Sequence, residues 1–165
     1  MVTAGKLPEV DKVWKVLEGI VDPEIPVVNI VEMKLVRDVQ VAGDEVTLVF
    51  SPSFVGCPAV DVMKTEMCIA VQKLGFSRVT VETTFSPPWT TNMLDASVRD
   101  KLRLFGIAPP PEMDDGIVQA LSKSVDCPWC GSSKTHLESS FGSTLCRQIF
   151  YCEKCRQSFE RFKPL

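Results

Sequence analysis

Four cysteines near the end of the chain, in the pairs Cys127-Pro-Trp-Cys130 and Cys152-Glu-Lys-Cys155, limit what it can fold into more than any other feature. Two intervening residues let both sulfurs of a pair face one point. With 21 residues between the pairs, four soft thiolates can converge tetrahedrally on one ion, the ligand set of a closed structural zinc site. Gly131, directly after the first pair, suits the tight turn that follows. The second pair is predicted at the tip of a hairpin, because 145–151 and 158–162 are rich in aromatic and apolar residues. A segment of about 40 residues is too small to stand on an apolar core alone, so metal binding would be part of its folding. Two disulfides, or iron in a rubredoxin-like four-sulfur site, use the same residues. Disulfides are disfavoured because the chain opens with no secretory apolar stretch; four thiolates alone do not exclude iron. Cys146 is a fifth thiol that reads first as a packed core cysteine and second as a spare ligand.

The chain has 165 residues, 45% of them hydrophobic, and a net charge of −3. That suffices for one compact domain plus a small appendage, and no run approaches the length of a membrane span. The ribbon, 126–165, carries 6 basic and 4 acidic residues. A doubly negative zinc–thiolate site cancels that surplus, so nucleic acid is not an expected partner. A cytoplasmic location is expected.

Val10, Val13, Trp14, Leu17 and Ile20 recur at helical spacing and predict a helix over 9–20, ended at Gly19 and the Asp22-Pro23 break. In the loop 21–26 two prolines fix the backbone and present Asp22 and Glu24. These carboxylates either meet a metal or partner, or neutralise nearby helix N-termini. Two β-branched runs, 35–41 and 45–50, joined by Ala42-Gly43-Asp44, read as a hairpin. After Ser51-Pro52 comes a loop carrying Cys57-Pro58 and then a helix over 58–74, with Met63, Met67, Ala70, Val71 and Leu74 on its inner face. Pro58 at the first helical position puts Cys57 at or beside the N-cap, where the helix dipole draws a thiol toward thiolate. Cys57 is therefore a candidate soft-metal ligand or nucleophile, the alternative being a buried structural cysteine. Cys68 has no role assigned.

A third strand is predicted over 78–85 and a further helix over 92–105, with a proline-stiffened loop between them. Trp89, Thr90 and Thr91 in that loop are expected near Cys57, since both loops follow strands and precede helices. The order α-β-β-α-β-α predicts an α+β domain over 1–108, helices covering a three-stranded sheet. A proline and acidic linker follows over 109–125, then the four-cysteine zinc ribbon over 126–165.

Asp22-Pro23-Glu24, the Ser51-Pro52-Ser53 loop ending in Cys57-Pro58, and Pro88-Trp89-Thr90-Thr91 together carry a resemblance. Over 9–108 the chain resembles the metal-sulfur cluster assembly factors. With Arg103, the exit Gly106-Ile107-Ala108-Pro109-Pro110 and the ribbon segment Phe141-Gly142-Ser143-Thr144-x-Cys146, it looks more closely like the D subunits of bacterial phenylacetyl-CoA epoxidases. Lys34 departs from the glycine common before the first strand of such domains, which predicts a different backbone geometry at that turn.

The resemblance implies a role in aerobic phenylacetate breakdown as a non-catalytic, accessory subunit of an oxidoreductase. In that system a di-iron oxygenase epoxidises the CoA thioester's ring and a flavin and iron–sulfur reductase feeds it electrons. The residues agree: the one histidine, His136, forms no Glu-x-x-His pair, and no glycine-rich dinucleotide fingerprint exists. The expectation is a maturation factor. Cys57, with Asp22 and Glu24, transiently holds iron or an iron–sulfur cluster for the oxygenase or reductase components, while zinc at the ribbon is structural. A homodimer is a further possibility, and a scaffold carrying no metal is the alternative. A redox enzyme exchanging Cys-x-x-Cys thiols ranks third, because each pair is matched by another.

Overall fold

The computed structural model describes residues 7–111 and 117–165; the expected linker's 112–116 lie outside the described residues. The chain divides into two compact units, Met1–Trp89 and Thr90–Leu165. Helix α1 (Leu7–Leu17) is followed by strands β1 (Val36–Ala42) and β2 (Glu45–Phe50), helix α2 (Ala59–Gln72) and strand β3 (Arg78–Thr83). The second unit contains α3 (Ala96–Leu104), β4 (Ile107–Ala108), α4 (Ile117–Ser122), β5 (Thr135–Ser139), β6 (Arg147–Cys152) and β7 (Gln157–Phe162). No helix among the described residues is long and apolar enough to cross a membrane.

In the first unit the sheet order is β1-β2-β3, with β1 antiparallel to β2 and β2 parallel to β3. Gly43 turns the hairpin at φ 62°, a conformation a residue without Cβ adopts readily. A parallel neighbour needs a crossover, which α2 supplies between β2 and β3. Leu17, Leu35, Leu48, Phe50 and Met67 are fully buried, each contributing about 1.5–3 kcal/mol of apolar burial. On α2, Met63, Met67 and Val71 face inward as the spacing predicts, joined by Ala59; Ala70 is only half-buried, and Leu74 lies beyond the helix end and is exposed.

The second unit holds a four-stranded sheet of order β4-β7-β6-β5. The sequence predicts the two central strands and misses both outer ones. Strand β4 is two residues long, and β5 (Thr-His-Leu-Glu-Ser) has one strongly apolar residue. Because β4 pairs with β7, the segment 90–108, expected to end the first domain, clusters with the ribbon instead. The order α-β-β-α-β-α stands, but its last helix falls in the second unit. Helix α4 is tied to the ribbon as well. Arg161, fully buried, donates to the carbonyls of Ala120, Leu121 and Lys123 and to Gln148 Oε1. Its guanidinium lies 4.5 Å from the centre of the Phe150 ring. Burial pulls this guanidinium down to about 10, and the carbonyls at the helix's C-terminal end compensate as its negative pole would.

Candidate metal centre and thiol site

The four ribbon sulfurs all lie within 4.8 Å of one another. Across the two pairs, Cys127 Sγ is 3.7 Å from Cys155 Sγ and Cys130 Sγ is 3.6 Å from Cys152 Sγ. Bonded sulfurs sit about 2.05 Å apart, so these are not disulfides. Four ligands at a zinc–sulfur distance of about 2.3 Å in a tetrahedron place sulfurs about 3.8 Å apart, which these separations match. The chain builds the site twice over from one local turn. The N–H of Gly131 donates to the carbonyl of Cys127 at 2.9 Å, and the N–H of Arg156 to that of Cys152 at 2.8 Å. Both residues after the pairs are left-handed, Gly131 at φ 69° and Arg156 at φ 57°. The glycine was legible in the sequence; its arginine counterpart was not.

Beneath the sulfurs lie Ala108, Phe150 and Phe159. Without a cation the four thiols cannot ionise together. Backbone N–H groups of Cys155 and Lys154 help pull Cys152 down to about 7, whereas burial and the neighbouring sulfurs push Cys155 up to about 12. A divalent ion resolves that conflict by sharing all four thiolates. Cys146 stays apart: buried, it lies 3.2 Å from the Thr144 hydroxyl, in keeping with a packed core thiol.

In the first unit, Asp22 Oδ1 accepts from the N–H groups of Glu24 (2.8 Å) and Ile25 (3.0 Å). This Asx turn folds the loop back and presents Glu24. Glu24 Oε2 lies 4.0 Å from Cys57 Sγ, 33 positions along the chain. Helix α2 begins at Ala59 with Pro58 as its N-cap, so Cys57 sits one residue before the cap. The expected thiolate is not what this surrounding favours. Burial pushes the Cys57 thiol up, the charges of Glu24 and Asp22 add to the rise, and the opposing N–H groups of Ala59 and Val60 do not offset them. Ser51, at the head of the Cys57 loop, is fully buried with its hydroxyl unpartnered among the described residues.

Trp89 and Thr91 each have a structural partner within their own unit. Trp89, buried, donates its Nε1–H to the carbonyl of Met33 at 2.7 Å, bracing the turn before β1. Thr91 is fully buried, and its N–H donates to the carbonyl of Leu165 at 3.0 Å. Thr90 precedes a short 3₁₀ turn and makes no side-chain cap. Arg161 is the structural residue that sequence reasoning passed over. Strand alternation places it on the same face as Phe159, and that was the available signal.

Comparison with known proteins accounts for both units. The iron-sulfur cluster assembly protein family matches residues 10–83, and the PaaD zinc beta ribbon domain matches 115–163. The chain is 37% identical over 156 residues to a protein of Escherichia coli described as the D subunit of a 1,2-phenylacetyl-CoA epoxidase, covering 94% of this chain and 93% of that one. It is 30% identical over 86 residues to an Fe-S protein maturation auxiliary factor of Porphyromonas gingivalis, covering 51% of this chain and 81% of that one. A solved domain of unknown function from Bacillus anthracis shares the fold at a TM-score of 0.54 and 21% identity, covering 58% of this chain and 92% of that one. With its thiol loop and its four-sulfur centre each falling inside a matching family domain, the chain belongs to the family of phenylacetyl-CoA epoxidase D subunits.

Proposed function

We propose that this chain is a non-catalytic accessory subunit of a phenylacetyl-CoA ring epoxidase that helps assemble iron or an iron–sulfur cluster for the oxygenase or its reductase. The observation that carries the reading is the convergence of Cys57 Sγ and Glu24 Oε2 from loops 33 residues apart. It pairs a soft and a hard ligand on one partly exposed spot within the assembly domain. Asp22 shapes that loop through its two hydrogen bonds, and the buried Ser51 hydroxyl at the head of the Cys57 loop has no protein partner among the described residues. Iron here is cargo: it displaces the thiol proton and takes both ligands, and an incomplete ligand set lets it leave. The ribbon's ion is zinc, closed by Cys127, Cys130, Cys152 and Cys155, and it holds that unit folded. Zinc supplies no chemistry to the cargo.

One observation favours a second reading, a scaffold that carries no cargo. The Cys57 thiol is held protonated by its burial and by two carboxylates. Coexpression of the epoxidase subunits with wild type or Cys57→Ser decides between them. Loss of most oxygenase or reductase iron in the variant, with the complex still assembled, supports maturation; a fully metallated, fully active complex establishes the scaffold.

A further inference from the structure

The loop between β5 and β6 presents Phe141 to solvent at 77% exposure, with Leu145 beside it at 48%. Exposed aromatics on slack loops are ordinary, but this loop is held at every step. Ser139 Oγ accepts from the Phe141 N–H at 3.1 Å and donates to the Phe141 carbonyl at 2.9 Å. Gly142 donates its N–H to the Arg147 carbonyl at 3.0 Å and packs so close that a Cβ there would meet Arg147 at 2.9 Å. Ser143 donates its N–H to Glu160 Oε1 at 2.7 Å, and Glu160 is paired with the buried Arg147 at 2.7 Å. A mostly buried ion pair and a close-packed glycine thus fix a ring that touches little of its own fold. An aromatic fixed before binding loses little side-chain freedom when a partner covers it, which is the property of an interface anchor.

The charge beside the ring says what kind of partner fits. Lys163 Nζ lies 5.7 Å from the centre of the Phe141 ring and donates to the Leu145 carbonyl at 2.8 Å. The lysine backbone is tied by its own N–H to the Cys146 carbonyl at 2.8 Å. An ammonium has three donors, and the one spent on Leu145 sets its direction while the others are available to an acceptor. We propose that Phe141, Leu145 and Lys163 form a docking anchor for another epoxidase subunit, one offering an apolar pocket with a carboxylate on its rim. The choice of partner rests on the proposed function; the anchor itself rests on the loop.

The test uses the full zinc-loaded chain and the remaining epoxidase subunits purified together, with affinity measured by calorimetry. Phe141→Ala and Lys163→Glu are each expected to weaken binding by about tenfold or more, a hot-spot loss. Lys163→Arg should stay within about threefold, since the charge and its donors persist. Zinc content and Tm should not change in Phe141→Ala, as the ring is exposed. Cys57→Ser should bind as wild type does, separating docking from cargo. Wild-type affinity in Phe141→Ala overturns the anchor alone. Failure of the wild-type chain to bind any epoxidase subunit overturns the anchor and the proposed function's choice of partner together. Self-association of wild type that Phe141→Ala abolishes also overturns the proposal, by giving the surface to a second copy.

Discussion

Lys34 shows how a residue can keep a geometry its side chain does not favour. Asn29 Oδ1 accepts from the N–H groups of Val31 and Glu32, and Glu32 reaches back to the Asn29 N–H, a capping box on a single helical turn. The turn closes with Lys34 N–H on the Val31 carbonyl and Leu35 N–H on the Ile30 carbonyl, the Schellman pattern, whose penultimate residue is left-handed. Lys34 takes that conformation at φ 56°. Lys34 thus holds a conformation that glycine adopts more readily, because the hydrogen bonds on both sides outweigh a left-handed cost of about 1–2 kcal/mol. Lys34→Gly should stabilise the chain by about 1 kcal/mol, read as a raised urea midpoint with an unchanged slope. Cys57 gives a second residue-scale prediction. With its thiol pushed up by burial and by Glu24 and Asp22, it should alkylate with iodoacetamide at neutral pH more slowly than cysteine in an unfolded peptide, because only the thiolate attacks. Glu24→Gln removes one negative charge, lowers the thiol and should speed the reaction; site-resolved mass spectrometry of the alkylated peptide measures both.

At the scale of elements, what the sequence disclosed depended on how local each signal is. The hairpin at Gly43, the methionine face of α2 and the two cysteine turns are written within a few residues each, and all are present. Strand β4 and the tie from Arg161 to α4 depend on partners 40 to 53 positions away, and no pattern along the chain announces them. Gly106 is the clearest example. It is left-handed at φ 91°, and a Cβ there would collide with the Trp129 ring. Trp129 lies between the first pair of ribbon cysteines, so the end of α3 and the turn that carries them are packed through one glycine. Gly106→Ala should cost about 1–3 kcal/mol from overpacking and backbone strain. Its signature is altered Trp129 fluorescence in the zinc-loaded chain; an unchanged spectrum and Tm would show that the ring moves aside freely.

At the scale of the molecule, two sulfur sites differ in kind. The ribbon gathers four thiols around one point, over a small apolar cluster of Ala108, Phe150 and Phe159 with the ligands themselves. The first unit has a continuous aliphatic core of its own and one partly exposed thiol facing a carboxylate. The spacing of the four ribbon cysteines and the loop residues Asp22, Glu24 and Cys57 were legible because each is a short motif. The state of the Cys57 thiol was not, because it is set first by burial in the folded chain and then by charges that include one 33 positions away. The division of labour is tested most directly by metal analysis and absorption spectroscopy of anaerobically purified full-length protein, comparing wild type with Cys57→Ser and Cys127→Ser. The account predicts that Cys57→Ser keeps one zinc per chain and loses the iron, while Cys127→Ser loses the zinc. Iron retained by Cys57→Ser, or zinc retained by Cys127→Ser, would contradict it.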